Sequence, residues 1–189
     1  MEERKTKTIF FLSLLFFSII SRILPHSPNF TPIGALSLLS GAYLPKKYSL
    51  FVPLSVMFLT DYFIGFYEIK LMISVYGSFI LIVLIGFWLK NHRNFITIIS
   101  SSLIASLLFY IITNFAVWAF TPWYEKNLTG LASSYLLALP FFRNTILGDL
   151  FYTFSFFSLY EFLVTKNLFH CIFRKREIFL INSNLDKIT

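Results

Sequence analysis

Charge is what this chain has least of. Asp, Glu, Lys and Arg together make up 13% of its 189 residues, roughly half the share found in an ordinary soluble domain. At 22.1 kDa a soluble protein has too much surface for its volume to hide a chain that is 57% hydrophobic and 20% aromatic. A soluble enzyme, a nucleic-acid binder and a disordered chain are therefore excluded, and an integral membrane protein remains.

Other scarcities narrow the chemistry. Cys171 is the single cysteine, so no disulfide within the chain and no CxxC metal site can form. Seven Gly and seven Pro leave no room for a low-complexity reading. The three histidines, His26, His92 and His170, fall in different loops, which argues against a histidine metal cluster. No phosphate-binding GxxxxGK[ST], no HExxH, no GxSxG and no EF-hand pattern occurs. The sequence thus assigns no catalytic residue, no metal ligand and no cofactor, and the expected protein is not an enzyme.

What is abundant is apolar length. A bilayer span takes about 20 mostly apolar residues, and six stretches qualify: 8–25, 31–45, 48–66, 71–89, 95–120 and 144–165. The expected fold is all-α, a bundle of six transmembrane helices over residues 1–165 followed by a basic tail, 166–189. The stretch 130–142 is too short to cross and reads as a re-entrant or interfacial segment before the last helix. Thr31-Pro32 reads as an N-cap followed by proline at the first helical position. Gly34, Ser37 and Gly41 form a small-residue stripe that lets another helix approach closely. Pro53 predicts a kink in the third span. Ser102 and Ser106, four apart, read as packing residues of the fifth.

Net charge is +7, from 16 Lys and Arg against nine Asp and Glu. With six spans, twelve of these cations fall on one side, at the N-terminus, in the second and fourth loops and in the tail. Lys70 and Lys126 fall in loops on the other, and Arg22 and Arg143, which sit in or at spans, are set aside. By the positive-inside rule both termini are cytoplasmic. The tail knot Arg174-Lys175-Arg176, set among Phe and Ile, reads as an interfacial segment on anionic lipid. The partners implied are the lipid bilayer and a small-molecule solute, with no nucleic acid.

The residues most costly in lipid locate the site. A charge at mid-bilayer costs about 2.5–3.5 kcal/mol on insertion scales, and Arg22, Asp61, Arg143 and Asp149 all fall in the outer half of this arrangement. Asn114 and Trp118 lie four apart on one face of the fifth span; Asn144 opens the sixth. His26, Asn29 and Tyr135 come from the outer loops. One reading has Arg22 and Arg143 pairing with Asp61 and Asp149 to lock the bundle. The other has these ten side chains forming an outward-facing pocket for a small polar solute, the arginines donating to it, the aspartates accepting, Asn114 hydrogen-bonding, Trp118 and Tyr135 stacking. The loop 25–32 holds three prolines in eight residues, which stiffens it as a wall or lid.

Three runs carry a resemblance: Arg22-x-Leu24-Pro25-His26-x-Pro28-Asn29-Phe30-Thr31-Pro32-Ile33-Gly34-Ala35-Leu36, then Thr113-Asn114-Phe115-Ala116-Val117-Trp118, then Pro140-Phe141-Phe142-Arg143-Asn144-Thr145-x-x-Gly148-Asp149-Leu150. They resemble a family of small bacterial inner-membrane proteins of unknown function. In layout the chain is also similar to the substrate-binding S components of energy-coupling-factor vitamin transporters. That likeness implies a vitamin-like solute bound from the outer face, with a coupling subunit and its ATPases as partners. Span one here is Phe, Leu, Ile and Ser, where S components often carry an Ala-x-x-x-Ala docking pair. The alternatives are a membrane scaffold of the rod-shape type and a small membrane enzyme with His26 and Asp61 as its acid–base pair.

Overall fold

A computed structural model describes residues 2–165. Within them the chain is helical throughout: α1 Glu2–Ile23, α2 Ile33–Tyr43, α3 Lys46–Ser49, α4 Phe51–Ile64, α5 Ile69–Leu89, α6 Phe95–Phe120, α7 Leu128–Leu136 and α8 Leu139–Tyr160, with a π-helical turn, Glu161–Thr165, continuing α8. The tail 166–189, with the basic knot and Cys171, lies outside the described residues.

The core is built around the short helix α2. Each of the 11 residues of α2 is buried, enclosed by α5, α8, α4 and α6. The small-residue stripe works against two neighbours. A Cβ on Gly41 would meet the Val83 carbonyl oxygen at 2.4 Å, and one on Gly86 would meet the Leu38 carbonyl oxygen at 2.5 Å, so α2 and α5 cross backbone to backbone. Gly34 instead abuts Asp149 of α8. Phe10, Phe11 and Leu14 of α1 and Tyr152, Phe156 and Tyr160 of α8 complete the core. Large side chains on the outer surface, among them Phe16, Phe58, Phe63, Ile73 and Phe151, are exposed. Water would oppose so wide an apolar belt, and lipid is its natural solvent.

Among the described residues three helices are long and apolar enough to cross a membrane: Lys5–Ile23, Ile69–Leu89 and Phe95–Phe120. The other expected spans come out differently, for identifiable reasons. At 11 residues α2 is about 16 Å long, and α4, at 14, about 21 Å, against a hydrocarbon core of about 30 Å. The 22 residues of α8 are long enough, but Arg143, Asn144 and Asp149 dilute its apolar character. It also begins five residues before the expected 144, absorbing the end of the 130–142 segment, whose first part belongs to α7.

Prolines and polar caps set these boundaries. Pro32, not Thr31, is the N-cap of α2; it makes no side-chain cap, and its carbonyl accepts from Leu36 N–H at 2.9 Å. Pro53 divides the expected third span into a short helix and a longer one. Pro53 has no N–H for the Ser49 carbonyl, so the helical ladder is interrupted between α3 and α4 while Leu50 keeps α-helical backbone at φ −79, ψ −38. Asn94 caps α6 in a reciprocal box with Thr97. Gly65, at φ 115, ends α4 and donates its N–H to Asp61 O at 2.9 Å.

Contacts between helix ends fix an alternating course. Lys7 and the carbonyl of Tyr43 meet at one end, where Arg93 also lies over the Tyr43 ring at 4.6 Å. Arg22 meets Thr60 and Asp61 at the other. The second end carries the loops 24–32 and 65–68 together with α7, and is called the loop-one end below.

Candidate functional site

Two polar assemblies occupy the loop-one half, and they are separate. In the first, Arg22 at the end of α1 forms an ion pair with Asp61 of α4, Nη2 to Oδ1 at 2.7 Å. Its other nitrogen donates to Thr60 Oγ1 and to the Met57 carbonyl. The remaining Asp61 oxygen accepts from Tyr76 Oη at 2.7 Å. Asp61 is therefore saturated, and its side chain is only 2% exposed. On the adjoining loop, the Tyr67 phenol is pushed up to about 12, by desolvation first and the Asp61 charge second, with Arg22 opposing. This assembly fastens α1, α4 and α5 together.

The second assembly is a cavity. Ser27-Pro28-Asn29-Phe30 form a tight turn closed by Phe30 N–H to Ser27 O at 3.0 Å, with Asn29 at φ 63. Proline at the second position and a left-handed Asn at the third are the requirements of a type II turn. Asn144 of α8 donates to the Pro28 carbonyl at 3.1 Å, and Phe30 packs on Tyr152 with ring centroids 5.5 Å apart. Held this way, Pro28 and Asn29 roof a hollow of about 300 Å³ between α5, α6 and α8. Its walls include Phe109, Tyr110, Thr113 and Asn114 of α6 and Phe141, Phe142 and Thr145 of α8. A smaller hollow of about 40 Å³, sharing Asn29, Phe109 and Thr145, continues it to Gly34 and Asp149. Asp149 is buried and accepts from Ser106 Oγ at 2.6 Å. The walls are stiff: Tyr110 stacks on Phe142 at 4.3 Å and donates to the Tyr135 carbonyl at 2.7 Å.

The ten expected site residues divide accordingly. Asn29, Asn114 and Asp149 line the hollows, and Asn144 holds the roof. Tyr135 stands behind Tyr110 and donates to Ile111 O at 2.8 Å; burial, with Tyr110 reinforcing it, pushes its phenol up. Trp118 donates to the Glu125 carbonyl at 3.0 Å instead of facing the hollows. His26 is exposed, its ring nitrogen on Leu24 O, and makes no contact with the saturated Asp61, so the two form no acid–base pair. Arg22 and Asp61 are consumed by each other. Arg143 is exposed and makes no ion pair with Asp149. The pairing expectation therefore holds for one arginine and fails for the other, because six residues of helix put Arg143 and Asp149 on different faces.

Sequence reasoning missed Ser106 as the partner of Asp149, Tyr76 as the partner of Asp61, and the wall residues Tyr110, Thr113 and Thr145. The spacing of Ser102 and Ser106 is the available signal; Thr153 of α8 also donates to Ser102 at 3.3 Å. A larger hollow of about 520 Å³ lies between α6 and α8 toward the other end, walled mainly by Phe95, Ile98, Ile99, Leu150, Phe154 and Phe157. Its polar members are Ser102, Thr153, Ser158 and Glu161. Among the described residues no group of three or more His, Cys, Asp or Glu is placed to hold a metal.

No curated protein and no solved structure matches the chain. A family match does exist, and it runs through every element that builds the cavity. Over residues 2–172 the chain belongs to the family of unknown function DUF6580.

Proposed function

We propose that this is a six-span bacterial inner-membrane protein, both termini cytoplasmic, that binds a small polar solute from outside in the hollow under the 24–32 loop. The observation that carries this is the hollow itself: about 300 Å³, roofed by a pinned loop, with aromatic walls and a few convergent polar groups. Ligand sites have that composition and lie in that size range. Asn114 spends one N–H on Tyr110 O at 2.8 Å and keeps its carbonyl oxygen for a ligand.

The alternating course of α1, α2, α4, α5, α6 and α8 supports six crossings, as does the twelve-to-two bias of Lys and Arg. A helix as short as α2 is tolerated because it is enclosed by protein, where no lipid meets its ends. The reading extends to transport in the manner of the S components of energy-coupling-factor transporters, with a coupling subunit and its ATPases as partners. The protein performs no chemistry of its own in this reading and needs no cofactor.

Filling the hollow tests it. Thr113→Trp places an indole between α6 and the roof. The small-molecule fraction of a cell extract should raise the thermal unfolding temperature of the wild-type protein in detergent by several degrees, and leave that of the variant unchanged. Equal responses from both proteins would refute the assignment.

One observation favours a second reading. Arg22, Asp61 and Tyr76 satisfy one another, as the polar lock of a membrane scaffold would. That reading predicts no response from either protein.

A further inference from the structure

We infer that the solute is a cation, an amine or a positively charged heterocycle, whose charged group docks on Asp149. This rests on the solute-binding reading above and narrows it.

The inference starts from an imbalance. Asp149 is 5% exposed and receives one hydrogen bond from protein, on Oδ2 from Ser106 at 2.6 Å. Among the described residues Oδ1 accepts none, and no Lys, Arg or His forms an ion pair with the carboxylate. Asp61, at the same end of the bundle, has an arginine and a tyrosine, one on each oxygen. In its ionised form a buried acid lacking such partners is costly inside a membrane protein, and a cation that supplies the counter-charge removes that cost.

The surroundings specify what that is. Neither hollow has a Lys, Arg or His in its wall, so an anionic solute finds no counter-charge and meets a carboxylate. Phe109, Tyr110 and Phe142 line the approach, and aromatic rings attract cations. The space is graded to match. The hollow of about 40 Å³ at Asp149 is of the order of one water's share of liquid volume, about 30 Å³, and so fits an ammonium-sized group. The hollow of about 300 Å³ above it takes the body. Gly34 lets the carboxylate lie against α2 at the edge of this hollow, since a Cβ there would stand 2.2 Å from Asp149 Oδ1.

The test uses thermal unfolding of the full chain in detergent with matched probes. These are primary amines, quaternary ammonium ions and protonated heteroaromatics, each beside its neutral and anionic isosteres, as benzylammonium beside benzyl alcohol and benzoate. Cations should raise the unfolding temperature by several degrees, while neutral and anionic isosteres do not. Asp149→Asn keeps an acceptor for Ser106 and should abolish the cation response. Ser106→Ala leaves the carboxylate in place and should retain it. Neutral or anionic probes that stabilise as well as their cations would overturn the inference and leave the solute site standing. A wild-type response to no probe would overturn both. The charge discrimination is read on the wild-type protein, so it does not depend on the variants folding.

Discussion

Arg22→Ala is expected to destabilise the protein by about 3–5 kcal/mol, the cost of leaving one partner of a buried ion pair alone. The arginine meets three acceptors from one turn of α4: Asp61, Thr60 and the Met57 carbonyl. Removing it leaves a carboxylate whose side chain is 2% exposed, with Tyr76 as its sole donor. Thr60 loses less, since its hydroxyl also reaches the Val56 carbonyl at 2.7 Å. The double change Arg22→Gln with Asp61→Asn removes both charges and keeps an acceptor for Tyr76, so most of the loss should return. Arg22→Lys should fall between, because an ammonium cannot span the three acceptors as a guanidinium fork does. Thermal unfolding of the four proteins in one detergent measures the series. If the double variant were as unstable as Arg22→Ala, the damage would lie in lost packing and not in an orphaned charge.

Gly86→Leu, at the crossing of α2 and α5, is expected to be at least as harmful. The obstacle to a Cβ there is the Leu38 carbonyl oxygen at 2.5 Å, with Gly41 Cα at 2.9 Å behind it. Backbone cannot rotate aside as a side chain can, so the two helices must separate. Overpacking a tight interior costs about 1–3 kcal/mol even for small additions, which sets the scale for Gly86→Ala; leucine should prevent a stable bundle and lower membrane yield sharply. Gly77 supplies the control in the same helix. A Cβ there meets nothing within 4 Å, so Gly77→Ala should be neutral or stabilising by up to about 1 kcal/mol from helix propensity. Equal unfolding temperatures for Gly77→Ala and Gly86→Ala would contradict the close crossing.

Parts of this architecture are legible in the sequence. The span 95–120 coincides with α6, because Asn94 and Thr97 mark its start and an unbroken apolar run its length. The small-residue stripe of α2 was visible, but not that its two glycines serve different helices. Lengths were misjudged where proline intervened: Pro32 and Pro53 shorten α2 and α4, and hydropathy alone runs across both. The polar residues were located in depth and not in direction. Depth follows from position along a span; direction depends on how helices pack, which one sequence does not reveal. Hence Asp61 and Asp149 look equivalent on paper. In the fold, one is neutralised by Arg22 and the other faces a hollow with a single hydroxyl beside it. Arg143, six residues from Asp149, is close in sequence and on another face of the helix.

The central claim is that the hollow under the 24–32 loop holds a small molecule. Native mass spectrometry of the gently solubilised protein tests it most directly. The account predicts a second mass series, heavier than the bare chain by one small solute of positive charge, absent from Thr113→Trp prepared in parallel. A bare chain in both preparations, or the same adduct on both, would contradict it.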